Sequence, residues 1–130
     1  MPEPFPIIEI SADAAQAQEP MGTKYKFWLR HAELGQCLFK MARPNTGEDW
    51  SEKIAAELCD LLCLPHARYE LAQWQDHPGL VSPTFLSANT TLHHGNDILA
   101  GLVSSYPRDT VYNQSQHTLT NVINALSLEG

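Results

Sequence analysis

No stretch of this chain approaches the roughly 20 uncharged apolar residues that a membrane-spanning helix needs. No basic segment followed by an apolar run opens it either, so neither a membrane span nor a signal peptide is expected. Basic residues are scarce: eight against fifteen acidic ones leave a net charge of −7. General nucleic-acid binding needs a positive surface that releases counterions, and direct contact with nucleic acid is therefore not expected. Cysteine is scarce and odd in number. Cys37, Cys59 and Cys63 lack paired metal-ligand spacing, which points to free thiols in a reducing, cytoplasmic setting. Cys59 and Cys63 are four apart and read as packed thiols on one helix flank rather than zinc ligands. No serine sits in a G-x-S-x-G elbow, so hydrolase chemistry has no support. His31, His66, His77 and His117 are isolated in turns and loops and make neither a metal quartet nor a triad.

What is present is enough for a core. At 130 residues and 43% apolar composition the chain has room for one domain and is no disordered tail. Residues 1–6 are a proline-rich lead-in, followed by a short β-branched run at Ile7–Ile10 that reads as a strand. Ser11–Pro20 suits a short helix or a loop, and Met21–Lys24 a turn. A hairpin follows, with arms Tyr25–Arg30 and Gln36–Met41. Tyr25, Phe27 and Leu29 alternate with polar or amphipathic neighbours, as do Cys37, Phe39 and Met41, which is the period of a half-exposed antiparallel pair. A helix is expected over residues 48–63. Glu48 and Asp49 suit the positive end of its dipole, and Pro65 lies just beyond it. Trp50, Ile54, Leu58, Leu61 and Leu62 form its apolar stripe, expected to lie on the sheet. A second hairpin is expected from Arg68–Trp74 and Gly79–Ser82 around a Gln75–Pro78 turn. Asn96–Val103 reads as a short helix, and the last element as an amphipathic helix with Leu119, Val122, Ile123 and Leu126 on one stripe, capped by Thr118. The order implies an α+β fold: an antiparallel sheet of about five strands with one long packed helix, then C-terminal helices.

Charge is unevenly spread. Five of the eight basic residues, Lys24, Lys26, Arg30, Lys40 and Arg43, fall between positions 24 and 43, where Glu33 is the only acid. A concentrated basic strip on an acidic protein suits a small anion. Lys40 ends the apolar run Cys37-Leu38-Phe39, and an ammonium placed there loses solvation unless it has a partner. Glu52 and Glu57 on the following helix are both candidates for that partner. Trp28 and Trp50 read as core or rim packing rather than as platforms for a base.

The stretches Gly22-Thr23-Lys24-Tyr25-Lys26-Phe27-Trp28, Leu38-Phe39-Lys40 and Glu48-Asp49-Trp50-Ser51-Glu52-Lys53-Ile54-Ala55 resemble the HipA-like kinase family. Leu61-Leu62-Cys63-Leu64-Pro65-His66-Ala67 and Ser82-Pro83-Thr84-Phe85 fit the same pattern. The resemblance runs over roughly residues 20 to 126. It implies a lead-in over 1–20, a kinase amino-terminal lobe over 21–87 and the helical segment after the hinge over 88–130. By that resemblance Lys40 is the nucleotide-phosphate lysine, Glu52 its helix partner and Gly22, Thr23 and Lys24 the phosphate-loop equivalent. The family phosphorylates protein hydroxyls with ATP and magnesium, and its best-known members are toxins paired with DNA-binding antitoxins. Phosphotransfer also needs a catalytic-loop aspartate and magnesium-binding carboxylate and asparagine groups. The resemblance assigns these to a carboxy-terminal lobe, absent here. His93-His94-Gly95-Asn96-Asp97 lacks their spacing and reads as a polar loop. The implied activity is therefore that of an inactive half, with a carboxy-terminal kinase lobe, another protein chain or a second copy of itself as partner. A non-catalytic interaction module is the alternative. A Lys40–glutamate pair near an open cleft distinguishes the two. A helix free in solvent, or parallel strands in the sheet over 25–30, 36–41, 68–74 and 79–84, would end the lobe reading.

Overall fold

The computed structural model describes residues 1–18, 24–110 and 112–128. The chain divides into two compact units, Met1–Phe85 and Leu86–Gly130. The first carries strands β1 (Ile8–Ile10), β2 (Ala17–Gln18), β3 (Lys26–His31) and β4 (Gly35–Met41), then helix α1 (Glu48–Leu61), then β5 (Glu70–Trp74) and β6 (His77–Pro83). The second carries α2 (Gly95–Leu102) and α3 (Leu119–Leu128). The fold is α+β. Among the described residues no helix is long and apolar enough to cross a membrane.

The strands form one sheet in the order β1-β5-β6-β4-β3-β2, in which β2 is only two residues long. Both expected hairpins form, and β4 pairs antiparallel with β6 to join them. One expectation fails at the edge: β1 runs parallel to β5, with Ile8 opposite Ala72 and Ile10 opposite Trp74, so the sheet is mixed. The parallel strand lies outside the two hairpins, whose own pairings remain antiparallel. The segment before β3, expected as helix or loop, instead supplies β2.

Alternation along the strands sends Phe27, Leu29, Cys37, Phe39, Ala72 and Val81 into one core, closed by Ile10 from β1. Trp74 belongs to β5 and Phe27 to β3, three strand spacings apart, or about 14 Å in a flat sheet. Their rings nevertheless stand 5.0 Å apart, and Phe27 and Phe39 stand 5.1 Å apart. The sheet is curled, and its concave side is filled by aromatic rings. The second hairpin turns on two residues, Gln75 and Asp76, both left-handed with φ of 48° and 64°. The expected four-residue turn is therefore shorter, and Pro78 lies inside β6 opposite Gln73.

Helix α1 packs on β5 and β6, but not with the expected side. Lys53 and Ala56 face inward. Trp50, Ile54, Leu58, Leu61 and Leu62 are 47–80% exposed, so the apolar stripe does not lie on the sheet. The concave face already provides the main core, and the face beneath α1 carries the charged Lys40 beside the buried Leu80. Ala56 permits close approach there. The Lys53 stem can cover apolar surface while its head is paired: its Nζ lies 4.8 Å from the Phe5 ring centroid, 2.6 Å from Glu57 and 2.9 Å from Glu70. The helix ends at Leu61, before Cys63, which adopts φ 55°. Cys59 and Cys63 therefore do not share a helix flank.

In the second unit Leu99, Tyr106 and Ala125 form a small core, with Ile98, Val103 and Val122 against it. The Asn121 amide donates to Thr118 Oγ1 at 3.1 Å, the expected cap of α3. Its expected stripe is rotated: Ala125 is buried, while Leu119, Ile123 and Leu126 are exposed.

Candidate functional site

The basic strip gathers where β4, the segment before β3, and the start of α1 meet. Lys40 is on β4, between β3 and β6, and points away from the core because Phe39 before it points in. Glu52 is one turn into α1 and turns back toward the sheet. Lys40 Nζ lies 3.4 Å from Glu52 Oε2 and donates to the Tyr69 hydroxyl at 3.2 Å. Lys24 Nζ approaches the other Glu52 oxygen at 3.4 Å and Glu48 Oε1 at 3.5 Å. Arg43 contributes Nη1 to Glu48 Oε1 and its backbone N–H to Glu48 Oε2, both at 3.1 Å. Lys26 stands directly opposite Lys40 across the β3–β4 ladder. Like charges in that register repel, and Glu52 beside Lys40 offsets part of the repulsion.

Protonation follows from this geometry. Burial works against the charge on Lys40, but the Tyr69 hydroxyl and the Glu52 carboxylate outweigh it and raise its pKa above the ordinary lysine value. The Arg43 backbone N–H, with Lys24 and the Arg43 guanidinium behind it, holds Glu48 below the usual carboxylate range. Lys40 is an ammonium and Glu48 a carboxylate at neutral pH.

Of the sequence-derived site residues, the structure brings Lys24, Lys40 and Glu52 together. Gly22 and Thr23 lie outside the described residues. Glu57, the other candidate partner of Lys40, is bonded to Lys53 instead. Sequence reasoning missed Tyr69 and the bridging role of Glu48. Tyr69 carries no spacing signal, since it reaches Lys40 only through the β4–β6–β5 order. Glu48 was legible as an acid at a helix start beside a basic strip. Trp50, expected as packing, is 57% exposed.

The donor set of Lys24, Lys40 and Arg43 matches phosphate oxygens, for which ammonium and guanidinium groups are the usual partners. Their present anions, Glu48 and Glu52, would have to share them. The same carboxylates are engaged by cations, and among the described residues no cluster of histidine, cysteine or acidic side chains is arranged to hold a metal ion. Lys24, Lys40 and Arg43 are therefore all engaged by the protein's own carboxylates in this arrangement. No family model matches the chain, and neither a curated protein nor a solved structure does.

Proposed function

We propose that the first unit is the nucleotide-binding amino-terminal lobe of a HipA-like protein kinase, inactive in phosphotransfer by itself. The observation that carries this is Lys40, on an inner strand of the sheet and held 3.4 Å from Glu52 of the following helix. A kinase lobe needs such a lysine to meet nucleotide phosphates and such a glutamate to hold it in place. ATP supplies the phosphoryl group. Lys40 neutralises phosphate charge, Glu52 positions Lys40, and Lys24, next to the segment holding Gly22 and Thr23, adds a second cation. Magnesium ligands and the acceptor-orienting aspartate would come from a carboxy-terminal lobe, on another chain or in a longer parent chain.

A second function class is favoured by a different observation. The cations are already neutralised by Glu48 and Glu52, and the outer face of α1 is apolar and exposed. Both features suit a protein-interaction module that keeps the lobe fold without using a nucleotide.

Titration calorimetry with ATP and magnesium separates the two. For the lobe, binding is expected near about millimolar, because a few exposed contacts barely offset the entropy lost on association. It should disappear in Lys40→Ala and weaken in Glu52→Gln. ATP binding unchanged by Lys40→Ala, or none at all, would leave the interaction module.

A further inference from the structure

Helix α1 carries its polar and small residues inward and its large apolar ones outward. At about 100° per residue, Trp50, Ile54, Leu58 and Leu61 fall within one quadrant, and the buried Lys53 and Ala56 lie on the other side of the axis. A helix face of this composition is normally the one that is covered. Exposure runs from 47% at Ile54 to 80% at Leu61, with Leu62 at 67% and Leu64 at 51%. Exposed to this extent along about three helical turns, the stripe is on the order of the largest apolar patch on a typical monomer, about 300–600 Å².

From this outward face we propose that two copies of the chain pair through α1, the two helices packed side by side about a two-fold axis. The charge distribution favours a second copy. A chain of net charge −7 repels itself unless contact is made through a neutral patch. The stripe has no charged side chain at its centre. Glu57, at its margin, is already bonded to Lys53 at 2.6 Å, so no uncompensated charge enters the contact. A two-fold contact also needs a surface that complements itself. An antiparallel crossing centred near Ile54 and Leu58 sets the Trp50 indole of one copy against Leu61 and Leu62 of the other. Ser51 and Ala55 on the flank are small enough for the axes to come within the 8–10 Å of packed helices.

The pairing does not depend on nucleotide binding. Sedimentation velocity of the full chain over a range of concentrations should show a monomer–dimer equilibrium. The double variant Ile54→Glu with Leu58→Glu should raise the dissociation constant at least about a hundredfold, because apposed, desolvated like charges would replace apolar contact. Both positions are exposed, so its far-UV circular dichroism should match the parent. Ala55→Arg, on the flank, provides a second disruption should the double variant fold poorly. Tryptophan emission should shift to the blue as the parent is concentrated, and Trp50→Phe should remove that shift. A monomer at every concentration overturns the proposal, as does a dimer that both variants leave intact.

Discussion

Lys53 and Glu70 show how a charged pair can seat a helix. The Lys53 side chain is 8% exposed and lies 2.9 Å from Glu70, which also bonds Arg68 at 2.8 Å. Burial pushes both groups toward neutrality, but mutual attraction prevails: Lys53 lies above its ordinary pKa, with Glu57 and Glu70 as the cause, and Glu70 lies below its own, with Lys53 and Arg68 as the cause. The signs set two pH limits. The stability linked to Glu70 is present above its unfolded pKa, near about 4.3, and is lost as pH falls through its lower folded value. The stability linked to Lys53 is present below about 10.4 and is lost as pH rises through its higher folded value. Thermal melts should therefore show a drop in midpoint on the acid side that Glu70→Gln makes shallower, and a second drop above about pH 10.4 that Lys53→Met makes shallower. At neutral pH, Glu70→Ala should cost about 1–3 kcal/mol, the range for stranding a buried polar partner that keeps one other bond. The outward stripe gives the opposite expectation. Leu58→Ala, at 52% exposure, should change monomer stability by no more than about 0.5 kcal/mol. Phe39→Ala, with no exposed surface, should cost about 3–5 kcal/mol. Urea melts of the two variants, run at concentrations where the parent is monomeric, check the contrast.

Elements differed in how legible they were. Both hairpins could be read because their two-residue period survives whichever neighbour they acquire. The presence of α1 was legible from Glu48, Asp49 and its apolar repeat, but its facing was not. Periodicity fixes that one side is apolar and says nothing about which side meets the sheet. That choice was made by the concave face, where Phe27, Phe39 and Trp74 from three strands already fill the space. The same limit applies to the candidate site. Lys40 and Glu52 follow from a strand and the helix after it, whereas Tyr69 needs the full strand order to reach Lys40. The β5–β6 turn tests local chemistry directly. Gln75 and Asp76 hold left-handed backbone, the geometry that Asn-Gly adopts readily. Gln75→Asn with Asp76→Gly should stabilise the chain by up to about 1 kcal/mol. Gly79 tests the ladder beside the lysine. A Cβ there would stand within contact of the Lys40 carbonyl oxygen and 2.7 Å from the Phe39 ring, so β4 and β6 could not keep their spacing. Gly79→Ala should cost about 1–3 kcal/mol in chemical denaturation, as overpacking does, and should weaken any anion binding at Lys40.

At the scale of the whole molecule, the first unit gathers three cations and two carboxylates beside one face of its sheet. Lys24 precedes β3, Lys40 lies on β4 and Arg43 on the link to α1, all within reach of Glu48 or Glu52. Phosphoryl transfer relies almost entirely on positioning and on spreading charge between metal ions and cationic side chains. Among the described residues the cations are gathered and no metal-holding cluster occurs. Asn96 and Asp97 lie in the first turn of α2 in the second unit, where Asp97 bonds Arg108 at 2.6 Å in a local ion pair. Incubating the chain with labelled ATP, magnesium and a generic acceptor protein should therefore give no transfer above that of a Lys40→Ala control. Robust transfer abolished by Lys40→Ala would mean that the chain itself assembles a complete catalytic centre, and the half-enzyme assignment would fall. The negative result gains its meaning from the binding measurement. A chain that holds ATP through Lys40 yet transfers nothing has the nucleotide-holding half without the chemistry. If it does neither, Lys40 and Glu52 serve to fasten α1 to the sheet.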